Sequence, residues 1–389
     1  MSTALNPHKL DLERLNRLQE QMQQQDVEAI LLYDPTNIRY ATGSSNMQVY
    51  GLHNPCRYAL VPAEGKAVMF EFAGCEHLLT NKPAIGDIRN AVAWYHFIVG
   101  NRVDEKANQW ANEIADLLPG KRLAVDRLDP IGVAALNQRG VQVSDGQQVI
   151  NRARMIKTPQ EMIAMRAAIS NCEKGMTLMH QNLQPGITEQ KLWSYLHQAN
   201  IEHGGEWIET RLLTSGPNTN PWYQECSDRE IGNGDLVSFD TDLIGAHGYS
   251  ADISRSWVTG DRQPTSEQRA LYSAAYEQVA RNIELFRPGI SFQEVAEKSW
   301  SLPERFAERT NSAIAHGIGL CNEYPLIVAP HLWDDGGIEG QIEAGMVLCV
   351  ESFAGEVGGR EGVKLEQQIL MTENGPELLS TYPLEEAIL

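Results

Sequence analysis

The feature that most restricts this chain is the recurrence of carboxylates inside apolar strand segments. A strand turns successive side chains to opposite faces. In residues 235–257 (DLVSFDTDLIGAHGYSADISRSW), Asp240 and Asp242 therefore share a face, with Phe239 and Thr241 on the other. Gly245-Ala246-His247-Gly248 is rich in turn formers, so the chain is expected to fold back there and set Asp252 opposite Asp242. The pattern recurs near the C-terminus. MVLCVESF and VKLEQQILM read as buried strands around a Gly358-Gly359 hairpin signal, which sets Glu351 opposite Glu366. Opposed Cβ atoms in a sheet stand about 5 Å apart. Carboxylates packed that way repel unless cations lie between them.

Between the two hairpins, Ala315-His316-Gly317-Ile318-Gly319 offers an imidazole nitrogen, with glycines that allow close backbone approach. Several carboxylates and one histidine suit hard or borderline divalent ions such as Mn, Fe, Co or Zn. Two ions bridged by carboxylates can polarise a substrate oxygen and stabilise developing negative charge. A solvated acidic strand edge would explain any one of these residues. It does not explain all of them together, each flanked by apolar strand residues. His247, at the presumed turn tip, is expected to be exposed rather than a ligand.

The surrounding pattern suggests two domains, 1–155 and 156–389, within the 389 residues. Leu12, Leu15, Leu18 and Met22 are spaced for a helix over 11–24. VEAILLY (27–33) reads as a strand ended by an Asp34-Pro35-Thr36-Asn37 turn. Residues 58–72 read as two strands around Ala63-Glu64-Gly65-Lys66, and RLAVD (122–126) as another, giving an α/β N-terminal domain. Thr158-Pro159-Gln160-Glu161 has the form of a capping box that opens a helix to about Leu178. Helices over 187–203, 265–286 and 292–309 then alternate with hairpin-like strands, an α+β arrangement. A net charge of −19 argues against nucleic acid as a partner. No run of eighteen apolar residues suggests a membrane span. The N-terminus lacks the apolar stretch of a secretory signal, so the expected location is cytoplasmic. Six scattered cysteines with no CxxC pair fit free thiols better than a zinc–thiolate site or a disulfide framework.

On these residues the whole chain resembles the pita-bread metalloenzymes: methionine aminopeptidase, aminopeptidase P, prolidase and creatinase. That family carries an Asp, Asp, His, Glu, Glu ligand set in this chain order, and its longer members have a creatinase-like α/β domain ahead of the pita-bread domain. The match falls on Asp242, Asp252, His316, Glu351 and Glu366, and Asp252-Ile253-Ser254-Arg255 is similar to the family's Asp-Ile-Thr-Arg. The peptidases usually space the two aspartates by eleven, whereas Asp240 and Asp242 here lie twelve and ten before Asp252. This Asp-Thr-Asp arrangement resembles the branch containing the DddP-type dimethylsulfoniopropionate lyase. So do Gly204-Gly205-Glu206-Trp207-Ile208-Glu209, Asn220-Pro221-Trp222 and Glu361-Gly362-Val363-Lys364-Leu365-Glu366. The resemblance implies a pair of divalent ions, Asp240 as a sixth ligand, and a homodimer in which segments such as His53-Asn54-Pro55 and Trp94-Tyr95-His96 approach the partner's site.

Two departures bear on the reaction. The peptidases use a histidine seven residues after the ligand histidine and another near Trp222 and Tyr223; here the first position is Glu323 and neither place holds histidine. In the lyase branch an aspartate six residues after the ligand histidine is the proposed base, and a tyrosine stands five before it. Here those positions are Asn322 and Asn311. An asparagine amide is not basic enough to abstract a proton, which leaves Glu323 and a metal-bound hydroxide as the candidates. The first expectation is thus a carbon–sulfur lyase acting on a small molecule, with Trp222 and Tyr223 facing the sulfonium by cation–π contact. The second is a hydrolase of a small amide or peptide C–N bond, and the third a non-catalytic binding protein on the same fold.

Overall fold

Asn6 accepts the Lys9 amide at 3.1 Å, and with proline in the first turn it starts the helix Pro7–Gln24. Its inward stripe runs through Leu10, Leu15, Leu18 and Met22. Leu12, expected inside, is 39% exposed, because Asp11 and Arg14 occupy the inner face as a buried pair 2.8 Å apart. The strand Ala29–Leu32 follows. Asp34-Pro35-Thr36-Asn37, expected to be a turn, instead opens the helix Pro35–Thr42: the Asp34 carboxylate accepts the Thr36 and Asn37 amides and Pro35 takes the first helical position.

The computed structural model describes residues 4–385 and 388. They fall into two compact units, Met1–Arg154 and Met155–Leu389. The first unit is built on a six-stranded sheet in the order 85–90, 67–71, 58–62, 29–32, 122–125, 142–145. Its two central pairings are antiparallel and the outer three parallel. Tyr33, Tyr58, Phe70, Trp94 and Trp110 pack together over one face.

In the second unit the Thr158 capping box forms as expected and opens the helix Pro159–Asn182. Glu189–Glu202 and Ser266–Leu285 are the next two long helices. The helix expected over 292–309 is broken: Phe292–Lys298 ends before Ser299, and a short turn resumes at Glu304 after Pro303, which cannot continue the first helix's hydrogen bonding. All pairings between named strands in this unit are antiparallel. The principal sheet has the order 322–328, 313–318, 347–355, 362–372, 375–378.

The strand Val347–Gly355 is buried throughout, and its neighbour Gly362–Thr372 nearly so. Period-two alternation divides their duties. Leu348, Val350, Val363, Leu365, Ile369 and Met371 go to the apolar cores. Cys349, Glu351, Lys364 and Glu366 share the other face. Arg255 holds this strand to the first hairpin. Its fully buried guanidinium donates to the carbonyls of Ser254 and Glu366, each at 2.8 Å, and of Tyr382 at 2.7 Å. Burial pushes its pKa down to about 10, so it stays charged at neutral pH. Arg255→Met strips three backbone carbonyls, two of them buried, of a charged donor and is expected to destabilise the protein by roughly 3 kcal/mol or more, read from urea unfolding.

Candidate metal centre

Both hairpins have the register the spacing implies. Glu351 pairs with Glu366 directly. In the first hairpin, Leu243 pairs with Ala251 and Phe239 with Arg255, a register centred on residue 247 that sets Asp242 against Asp252. The ladder is interrupted at the aspartates themselves. Leu236–Phe239 ends before Asp240, and pairing resumes at Leu243. Thr241 bridges the gap: its hydroxyl donates to the Ala251 carbonyl at 3.0 Å and accepts the Ile253 amide at 2.8 Å. Asp242 takes a positive φ of 35°, and its amide donates to Asp252 Oδ1 at 3.3 Å. The simple alternation expected for Asp240 and Asp242 is thus replaced by a kinked segment. His247 is exposed at the tip with φ 62°, as expected.

The side chains converge. Asp252, His316, Cys349 and Glu366 form one group whose ligand atoms lie within 4.8 Å of one another, and Asp240, Asp242 and Asp252 form a second. Asp252 belongs to both. His316 lies in the strand Ala313–Ile318, paired with Cys349 of the neighbouring strand, at an irregularity between His316 and Gly317. Its Nε2 is 3.4 Å from Glu366 Oε1 and 3.7 Å from Asp252 Oδ2, and its Nδ1 faces the Gly317 carbonyl at 3.1 Å. An Nδ1 proton donated to that carbonyl leaves Nε2 as the ligand atom. Glu366 Oε1 is buried without a hydrogen-bond partner, an oxygen that calls for a cation.

Lys364, two residues before Glu366 and on the same strand face, was not anticipated. Its ammonium lies 2.7 Å from Glu366 Oε2, 2.9 Å from Asp240 Oδ2, 3.0 Å from Glu351 Oε2 and 3.0 Å from Ser254 Oγ. Ser254 Oγ is 2.8 Å from both Asp240 Oδ1 and Glu366 Oε2, and Thr210 donates to Asp242 Oδ2 at 2.7 Å. Cys349 was also missed as a neighbour of the set. Burial, reinforced by Glu366 and Asp252, pushes its thiol pKa well up, so it stays protonated and is a poor ligand as it stands.

The remaining candidates separate. Asn311 is buried and donates Nδ2 to Glu351 Oε2, while its Oδ1 accepts the Tyr223 hydroxyl at 3.1 Å. Tyr223 and Asn311 therefore form a chain that ends on a carboxylate of the centre. Tyr223 is 65% exposed. Trp222 is buried, stacked 5.8 Å from Phe353, with its ring 5.9 Å from the Lys364 ammonium. Its cation–π partner is a residue of this chain. Glu323 is not in the cluster: Oε2 pairs with Lys157 at 2.8 Å, both side chains being buried, and Oε1 accepts the Leu320 amide at 2.9 Å. Asn322 is exposed at the start of the strand Asn322–Val328. Glu351 and Asn311 also border a cavity of about 170 Å³, lined further by Asn282, Trp300 and His331.

Like charges crowded in a buried space show up in the protonation equilibria. Burial, then Asp240, raises the Asp242 pKa from its ordinary 3.8 to about 7. Burial and the neighbouring carboxylates push Asp252 well up, and burial raises Glu351 despite Lys364. Burial also opposes ionisation of Glu366, but Lys364 and His316 outweigh it and hold that carboxyl low. His316 would be pushed down by burial, yet Glu366 and Glu351 carry it up to about 9. Metal-free, the centre thus retains protons that a divalent ion must displace.

The donor set fits divalent metal ions: it is oxygen-rich, with one imidazole, an aspartate common to both groups and, in Glu366 Oε1, a buried oxygen without a hydrogen-bond partner. Residues 163–373 match metallopeptidase family M24, and residues 14–156 match the creatinase/prolidase N-terminal domain. The chain belongs to the M24 family, with a creatinase-like N-terminal domain preceding the pita-bread fold. Within that family it is 40% identical over 386 residues to the dimethylsulfoniopropionate lyase DddP of Roseovarius nubinhibens, covering 97% of this chain and 86% of the relative. It is 39% identical to DddP of Roseobacter denitrificans over the same shares. Among solved structures, an Xaa-Pro dipeptidase from Bacillus anthracis superposes with a TM-score of 0.77 at 19% identity, over 96% of this chain and 99% of that one. Dipeptidase PepE from Mycobacterium ulcerans gives 0.77 at 23% identity, over 98% of each chain. These two likenesses establish the fold.

A pH prediction follows from the raised pKa values. Asp242 binds its proton more tightly folded than unfolded, so its contribution to stability is complete below about pH 4 and is lost as pH rises through about 7. His316 extends that loss from 6.5 to about 9. The melting temperature of metal-free protein is expected to fall across pH 5–8 relative to an Asp242→Asn variant, while Mn²⁺ affinity rises over the same range. Scanning fluorimetry with and without Mn²⁺ checks both signs.

Proposed function

We propose that this chain is a metal-dependent lyase that cleaves dimethylsulfoniopropionate by β-elimination to dimethyl sulfide and acrylate. The observation that carries the reading is 40% identity to a DddP lyase across 97% of the chain, well beyond the ligand residues. In this reading Asp242, Asp252, His316, Glu351 and Glu366, with Asp240 beside them, hold two divalent ions. Bound there, the ions would draw electron density from a substrate carboxylate, stabilise the charge that develops as the α-proton leaves, and lower the pKa of water so that hydroxide takes that proton at neutral pH. Asn311 orients Glu351 through its amide, and Tyr223 orients Asn311. The adjoining cavity gives a small organic ion room beside Glu351.

We assign Glu323 an anchoring role, because both of its oxygens are engaged by Lys157 and the Leu320 amide. Trp222 is assigned to packing and to Lys364 instead of the sulfonium. Asn322 is exposed and its amide is not basic. Among the described residues no helix is long and apolar enough to cross a membrane. A cytoplasmic homodimer acting on a small molecule completes the reading. The second reading, hydrolysis of a small amide or peptide C–N bond, draws on the family and on the peptidase folds. Against it, Glu323 stands where the peptidases carry a histidine.

Metal-loaded protein incubated with dimethylsulfoniopropionate is expected to release dimethyl sulfide, followed by gas chromatography. Gas no greater than from a chelator-treated control, together with cleavage of Xaa-Pro dipeptides, would transfer the assignment to the hydrolase. Asp252→Ala and His316→Ala should each weaken metal binding by more than the roughly tenfold to hundredfold that loss of an outer-shell partner costs. Metal analysis of the purified variants checks this, and a variant that keeps both ions would sink the ligand assignment.

A further inference from the structure

We propose that the cavity bordering Glu351 is a binding site for a small neutral molecule with one oxygen acceptor, a carboxamide or ketone in chemical class, which Asn282 recognises through Nδ2. The inference goes beyond the lyase reading and does not depend on it. The cavity holds about 170 Å³. It lies where the strand Ala313–Ile318 begins, while Val347–Gly355 runs on past their last pair, Ala315 and Val350. Asn282 reaches it from the helix Ser266–Leu285 and is 1% exposed. Its Oδ1 accepts the Trp300 amide at 2.8 Å, which fixes the other end of the side chain as the NH₂ group. That Nδ2 is buried and has no hydrogen-bond partner. A buried donor left so is destabilising, and an acceptor brought in by a ligand relieves it.

The walls decide which acceptor fits. Leu302, Ala313, Ile314, Ala329 and Pro330 offer an apolar surface, with Trp300 beside them. Water is a poor occupant beside Nδ2, because a buried water needs several polar partners. The neighbouring amide is already engaged: Gln278 Nε2 donates to the Trp300 carbonyl at 2.8 Å, and its Oε1 accepts Ser352 Oγ at 2.6 Å. Among the described residues that line the cavity there is no lysine or arginine, and Glu351 is a carboxylate. An anion would therefore enter with nothing to answer its charge. A cation has no use for an N–H donor. Dimethylsulfoniopropionate carries its oxygens on a charged carboxylate, so the cavity suits a second class of ligand. An engineered cavity of roughly 150 Å³ takes benzene, so a molecule of about six heavy atoms fits here.

The test titrates metal-loaded protein with butyramide, butyrate and benzene at mildly alkaline pH, followed by ligand-observed NMR. Butyramide is expected to bind with a dissociation constant on the order of millimolar, at least about tenfold more tightly than butyrate. Asn282→Asp keeps an oxygen for the Trp300 amide and removes the donor. It is expected to weaken butyramide at least about tenfold and to leave benzene bound as in wild type. Ala329→Leu fills the cavity without touching Asn282 and is expected to displace both. No binding of butyramide to wild type overturns the site, and so does butyrate bound as tightly. Equal losses of butyramide and benzene in Asn282→Asp, or no loss of butyramide, overturn the role of Nδ2. If Asn282→Asp fails to fold, the preference for butyramide over butyrate and its loss in Ala329→Leu decide. Butyramide bound by protein that cleaves no dimethylsulfoniopropionate upholds the site and removes the lyase reading instead.

Discussion

Five carboxylates are gathered in a buried space where ionising them together is unfavourable, and the rest of the catalytic unit is organised around relieving that cost. Protons on Asp242, Asp252 and His316, the ammonium of Lys364, and hydroxyls from Thr210 and Ser254 each take a share. Such an arrangement holds only in a rigid frame, since relaxed side chains would turn to solvent. The frame is two antiparallel hairpins whose far faces pack into apolar cores, tied together by Arg255 through backbone carbonyls.

Strain is concentrated where the chemistry lies. The first hairpin keeps its overall register but gives up regular pairing at Asp240–Asp242 and again at Asp252–Ser254. Thr241 supplies the missing bonds, which lets Asp242 adopt a left-handed φ without opening the hairpin. A regular ladder would separate Asp240 and Asp242 along one face; the kink brings both into a group with Asp252. The second hairpin carries no such distortion, and its Glu351–Glu366 pair follows from the pleat alone.

Much of this was legible in the residues. Turn chemistry and two-residue periodicity are local, so both hairpin centres, the opposed acids and the Thr158 cap could be read directly. Errors came where local signals compete. Asp-Pro-Thr-Asn suits a turn or a helix start, and the Asp34 cap together with the burial of Ile38, Tyr40 and Ala41 decides for the helix. Leu12 fits a helical stripe, but a buried Asp11–Arg14 pair rotated that stripe away from it. Lys364 could have been found by the alternation that placed Glu366, since the two lie two residues apart on one strand.

What the sequence by itself determined is the set of acids, the histidine that joins them and the family they mark, because a hairpin's register depends on residues close together in the chain. Tertiary structure alone decided how the neighbours divide. It turned Asn311 and Tyr223 toward Glu351, committed Glu323 to Lys157, gave the Trp222 face to Lys364 and delivered that ammonium to Asp240, 124 residues away. Those partners come from strands and loops remote in sequence. Which charge answers which is set by distances of a few ångströms in a medium that screens poorly, and no local pattern encodes them.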